Sequence, residues 1–279
     1  MTELESYPVG HAVIGMLDVR RALPLRQRRL VGPWCFLDRY GPLSFTNEKP
    51  MDLGPHPHIG LQTVSYLLEG EVIHHDSLGY EALLRPGEVN LMTSGRGIAH
   101  AEEIPRGALG RLNGVQLWIA MPDETQRAFE HRNELTQAGS MTLFVDAPTH
   151  RGGDIRIDSK TTIALNRNFE HALLVLDGSV EIEHQPLATD MLHYLGTGRD
   201  EMELSGRGRI LIVGGEPFAG SIVMWRNFVA RTTDELVAAR DDWQRHERFG
   251  DVRGAEAARI DAPALTGKAL GKVRPPAAS

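Results

Sequence analysis

His56-Pro57-His58 and His100-Ala101-Glu102 each hold two metal-ligating side chains separated by one position. On a β-strand, residues i and i+2 point to the same face, so each tripeptide can aim two ligand atoms in one direction. Two such pairs facing each other across a small barrel would supply three imidazoles and one carboxylate. That set suits a divalent transition metal and leaves coordination positions open for chemistry. Neutral imidazoles and a single carboxylate would leave a divalent ion with net positive charge, favouring an anionic oxygen ligand. The competing reading is that these residues form ordinary polar clusters at a barrel mouth.

The other residues of the region divide by face. Twelve histidines occur in the chain, and five of them fall between positions 56 and 100. His74 and His75 are adjacent, so on a strand they face opposite sides and at most one can look into a barrel. A supporting or surface role is the simpler reading for them. Gln62 lies four residues after His58 and, on a continuing strand, would share the face of His56 and His58. It is the expected pocket-lining amide, able to donate and accept hydrogen bonds but not to act as a base. Ser94-Gly95-Arg96-Gly97-Ile98-Ala99 lacks the Gly-Lys-Ser/Thr ending of a phosphate loop and reads as a tight loop that sets up His100. Cys35, between Trp34 and Phe36, reads as a buried apolar thiol. No serine sits in a nucleophile-elbow motif, which leaves no Ser-His-Asp arrangement to place.

The elements that must position these residues are strands. Most of residues 10–230 consists of short apolar runs and alternations punctuated by Gly, Pro, Asp and Asn, an all-β pattern. Strands are expected at 63–68, 71–76, 83–84, 89–92 and 115–121, with a hairpin turn at Leu68-Glu69-Gly70-Glu71. Tyr66–Ile73 recurs as Leu174–Glu181, aligning Gly70 with Gly178 at an offset of 108. A repeat of that size points to two copies of one barrel-like domain. Moved by the same offset, the four candidate ligands fall on Ala164, Asn166, Gly208 and Ile210, so only the first barrel should hold a metal. Asp146–Asp154 reads as a loop or linker between the copies. One helix is expected from Thr232, with Glu235 completing a capping box. Its Leu236/Trp243 face should pack on a barrel, with Gly250 closing the segment. The division is 1–135 for an N-terminal metal-binding domain, 136–253 for a metal-free domain plus helix, and 254–279 for a flexible tail.

Composition narrows the class. The chain has 279 residues, 41% hydrophobic and 24% charged, with a formal net charge of -7. An acidic chain is poorly suited to direct nucleic-acid contact, which needs clustered Lys and Arg. The single cysteine excludes an intrachain disulfide and points to a cytoplasmic setting. No secretory-type start and no membrane-length apolar run is present, so no membrane partner is expected.

The runs PHPHIGLQTVSYLLEGEVIHHDSLG and LLRPGEVNLMTSGRGIAHAEE resemble the pirin family of the cupin superfamily. Gly32–Pro42 and FVARTTDELVAARDDWQRHERFG resemble further pirin segments, so the likeness spans roughly residues 10–250. It implies a bicupin: two jelly-roll-like β-barrels face to face, with metal in the N-terminal one alone. It also implies His56, His58, His100 and Glu102 as ligands, usually to Fe(II), with Zn, Cu, Mn and Ni as alternatives. Some pirins are similar in site to quercetin 2,3-dioxygenases, implying a flavonol-like aromatic substrate and O2. Others are described as regulators, implying instead a non-enzymatic, iron-dependent redox sensor that binds a protein partner. Many pirins carry Glu where this chain has Gln62. That departure leaves Glu102 as the expected catalytic group, both ligating and taking the substrate proton.

Overall fold

The computed structural model describes residues 4–14, 17–46, 51–122, 131–132, 135–138, 141–263 and 272–273. Among these the architecture is β throughout, with one α-helix, Thr233–Gln244. The chain forms two compact units that cut across the division at 135 and 253. One gathers Met1–His11, Arg20–Asp38 and Glu134–Ala219; the other gathers Ala12–Val19, Arg39–Asn133 and Gly220–Ser279.

The unit containing Arg39–Asn133 carries the candidate ligands. A four-stranded sheet runs in the order Asp52–His58, Ile98–Glu103, Val72–Asp76, Glu81–Leu84. A second sheet brings Val89–Thr93, Leu61–Glu69 and Gly110–Ala120 together as antiparallel neighbours. Leu17, Tyr40, Leu67, Val72 and Leu112 are buried together in one apolar cluster of this unit. Alternation along each strand sends these side chains inward, where burial of their apolar area drives folding.

The segment after residue 220 belongs to this same unit. Ile222–Trp225 and Phe228–Ala230 form a hairpin whose Phe228 bridges to Ile59. The helix begins as expected: Thr232 Oγ1 accepts from the Glu235 N–H at 3.2 Å. The Glu235 carboxylate, however, accepts from Arg231 N–H rather than from Thr232. Leu236, Ala239 and Trp243 are buried with Ile59, Ala99, Phe228 and Phe249. The helix ends at Gln244, before Gly250, which has φ 74° beyond it.

Residues 254–263 are not a loose tail. Glu256 and Ala257 N–H groups donate to the Glu103 carboxylate at 2.9 and 2.7 Å. Ile260 N–H donates to Pro55 O, and its own carbonyl accepts from Trp243 Nε1 at 2.9 Å. An Ala- and Pro-rich composition concealed this strap because its anchoring is mostly by backbone groups. The rest of the expected tail, 264–271 and 274–279, lies outside the described residues.

The other unit is built on a nine-stranded antiparallel sheet that contains Glu170–Ile182, Glu201–Gly215 and His150–Ile157. Ile155, Leu173, Val175, Leu204 and Ile210 are buried together in one apolar cluster of this unit. The Asp146–Asp154 segment is not a linker: it joins strands Met141–Ala147 and His150–Ile157 into a hairpin. Gly152 and Gly153 suggested a loop, yet they are strand residues. A Cβ on Gly152 would overlap the Phe144 ring, so the glycine there makes room for an aromatic side chain. The repeat is partial. Gly70 (φ 90°) does not turn the expected hairpin, because Leu61–Glu69 and Val72–Asp76 lie in different sheets and the glycine carries the chain from one to the other, whereas Gly178 (φ 77°) sits within a continuous strand just after a register shift.

Candidate metal centre

His56 and His58 end one strand and His100 lies on its antiparallel neighbour, directly across from His56. The Asp52–His58 strand holds one residue more than its partner over this stretch, since His100 faces His56 while Glu102 faces Leu53. The bulge lies at Gly54-Pro55, where proline has no ladder N–H to lose. The three imidazoles converge: ring centroids are 5.2 Å apart for His56–His58, 4.4 Å for His56–His100 and 4.9 Å for His58–His100. One nitrogen from each lies within 4.8 Å of the others.

The hydrogen bonds of the rings select which nitrogen that is. His56 Nδ1 lies 2.9 Å from Gly54 O, and His58 Nδ1 lies 3.0 Å from Asn227 O. A carbonyl only accepts, so both Nδ1 atoms carry hydrogen and both Nε2 atoms keep a lone pair. Burial holds both rings below the usual imidazole range, reinforced at His58 by the neighbouring His56. Both are therefore neutral at neutral pH, the form a metal needs. Three buried imidazoles with centroids 4.4 to 5.2 Å apart, two of them keeping a lone pair at Nε2, are a costly arrangement without a cation, so the donor set fits a transition metal.

Glu102 is 5% exposed and joins a second, overlapping group with His74 and His100, again within 4.8 Å. Ser65 Oγ donates to Glu102 Oε1 at 2.7 Å and also lies 2.8 Å from Gln116 Oε1. Tyr40 is buried nearby; burial, and next the Glu102 charge, push its phenol pKa up. Trp118 packs edge-on to His58 with centroids 5.2 Å apart. Ser65, Gln116, Trp118, Tyr40 and Asn227 had no motif to reveal them. Alternation could have exposed only the inward set on the two neighbouring strands.

Gln62 does not share the face of the histidines. The chain leaves the first sheet at Ile59-Gly60, where Gly60 has φ 67°, so the period-two count from His58 breaks. In the next strand Gln62 pairs with Ile119 and Thr93, on the face opposite Ser65. Its amide donates to Thr93 Oγ1 at 2.9 Å. His74 is 2% exposed and turned toward His100, with ring centroids 5.1 Å apart. His75 faces the other way, 3.3 Å from the exposed Glu81 carboxylate.

Two β-barrel units, one holding a histidine-rich site that could bind a metal and one with an apolar core, define a cupin-class protein. The Pirin family model matches residues 16–119, and the Pirin C-terminal cupin domain matches residues 153–250. A Pseudomonas aeruginosa protein provisionally named quercetin 2,3-dioxygenase is 39% identical, covering 91% of this chain and 88% of its own. A crystal structure of quercetin 2,3-dioxygenase from Acinetobacter baumannii superimposes with a TM-score of 0.86 at 39% identity. That match covers 95% of this chain and 96% of the other. The Escherichia coli pirin YhhW, in complex with nickel(II), shares the fold at TM-score 0.65 and 19% identity, covering 78% of this chain and 100% of its own. The chain belongs to the pirin family. No helix among the described residues is long and apolar enough to cross a membrane.

Proposed function

We propose that this pirin is a metal-dependent dioxygenase of the quercetin 2,3-dioxygenase type, cleaving a flavonol-like substrate with O2. His56, His58, His100 and Glu102 would hold one divalent transition metal, Fe(II) by preference. The observation that carries the reading is the convergence of His56, His58 and His100, two of them with Nδ1 tied to a backbone carbonyl. When bound, the metal supplies a Lewis-acidic, redox-capable centre with open positions.

The chain's own groups prepare the substrate. Glu102 takes the flavonol hydroxyl proton as general base. Ser65 has one hydroxyl hydrogen, which it gives to Glu102 while that carboxylate is ionised. Once Glu102 is protonated it can donate to Ser65 Oγ, whose hydrogen then turns to Gln116 Oε1, 2.8 Å away. This small network holds the proton inside a buried site during the reaction. Trp118, beside His58, offers an apolar wall suited to an aromatic ring.

Anaerobic reconstitution with Fe(II), followed by oxygen-electrode measurement with quercetin, tests the proposal. Metal-dependent uptake that His56→Ala abolishes is the expected result. Protein that binds Fe(II) stoichiometrically yet consumes no oxygen with quercetin would overturn the flavonol assignment.

A further inference from the structure

We propose that His74 is a positioning residue for the metal centre: with Asp76 it forms a buried carboxylate–imidazole–imidazole relay that sets the tautomer and ring plane of His100. The inference rests on reading His56, His58, His100 and Glu102 as metal ligands.

The strand register places the relay. Ile98–Glu103 runs antiparallel to Val72–Asp76, pairing His100 with Asp76 and Glu102 with His74. Paired residues of antiparallel strands share a face, so all four side chains meet on one side of the sheet. His74, Asp76 and His100 are 2%, 1% and 1% exposed. His74 Nδ1 and His100 Nδ1 are 3.3 Å apart. Two ring nitrogens at that distance attract only if one carries hydrogen and the other a lone pair.

Coordination decides which. His100 can offer Nε2 to a metal only if its hydrogen sits on Nδ1. His74 must then accept at Nδ1 and carry its own hydrogen on Nε2. That Nε2 faces Asp76 Oδ2 at 3.6 Å, an electrostatic contact longer than a hydrogen bond. Asp76 is anchored from the far side, where its Oδ1 accepts from the Leu78 and Tyr80 N–H groups at 2.8 and 3.1 Å. The turn after the strand thus aims the carboxylate at His74, and His74 is aimed at His100.

This makes His100 different from its fellow ligands. His56 and His58 are oriented by the backbone carbonyls of Gly54 and Asn227. His100 receives the same service from a side chain, so its orientation alone can be altered by a single substitution outside the ligand set. Direct ligation by His74 is the competing arrangement, since it also lies within 4.8 Å of His100 and Glu102 ligand atoms.

Full-length apoprotein and the variants His74→Leu, His74→Asn, Asp76→Asn and His56→Ala would be titrated with Co(II) against a chromophoric chelator. Visible ligand-field spectra and Cu(II) electron paramagnetic resonance would be recorded in parallel. His74→Leu should weaken Co(II) about 10- to 100-fold and shift the ligand-field bands, as loss of an outer partner of a ligating histidine does. His74→Asn places an acceptor near the position of Nδ1 and should recover most of that loss. Asp76→Asn should fall between them, and the nitrogen coupling pattern of Cu(II) should stay that of the wild type in His74→Asn. Wild-type affinity in His74→Leu, or His74→Asn as weak as His74→Leu, would overturn the relay. Loss of one nitrogen coupling in His74→Asn would overturn it in favour of direct ligation. A wild type that binds Co(II) no better than His56→Ala would instead remove the metal reading on which the relay stands.

Discussion

The native state should resist protonation at His171, and this can be measured group by group. His171 sits on the Glu170–Ile182 strand, paired with Gly214, and is 5% exposed. A Cβ at Gly214 would lie 2.6 Å from the His171 ring, so the glycine leaves space for the imidazole and little for water. Burial, partly offset by a hydrogen bond with the Phe169 backbone, pulls its pKa down from 6.5 to about 4. The sign follows from linkage. The unfolded chain takes up a proton near pH 6.5 and the folded chain near pH 4, so unfolding becomes easier as pH falls between those values. The stabilisation is complete above pH 6.5 and lost below pH 4. The shift corresponds to roughly 3 kcal/mol, lost at about 1.4 kcal/mol per pH unit in mid-window. Nuclear magnetic resonance titration of the His171 Cε1–H should give a midpoint near pH 4. Urea unfolding between pH 4.5 and 6 should show a slope for His171→Asn shallower than wild type by about 1.4 kcal/mol per pH unit. A ring that titrates near 6.5, or equal slopes in the two proteins, would refute the reasoning.

Two further outcomes follow from placement. Gln62→Leu should cost about 1 kcal/mol in urea unfolding through its lost hydrogen bond to Thr93, with Co(II) affinity within about twofold of wild type; a tenfold loss of affinity would put Gln62 back in the site. Truncation after Arg253 removes the N–H donors of Glu256 and Ala257 from the buried Glu103 carboxylate and the Ile260 acceptor from Trp243. It should destabilise the protein by about 3 kcal/mol or more, and unchanged urea unfolding would show that the strap is dispensable.

Local patterning determined much of this protein. The i, i+2 spacing put His56 and His58 on one strand and His100 and Glu102 on another, because side-chain alternation is a property of any extended chain. Thr232 and Glu235 marked a helix start through short-range capping chemistry. Tertiary structure decided everything that depends on distant chain returning to the site. Asn227 sets the His58 tautomer from 169 residues away. The strap at 254–263 anchors Glu103, although its composition resembled a loose tail. Gln62 fell on the wrong face because one glycine turn reset the alternation, and His74 rather than His75 turned inward because strand register chose between them. Sequence carries periodicity and local bonding, and those survive in an isolated segment. Register and long-range hydrogen bonds exist only once the strands have found their partners.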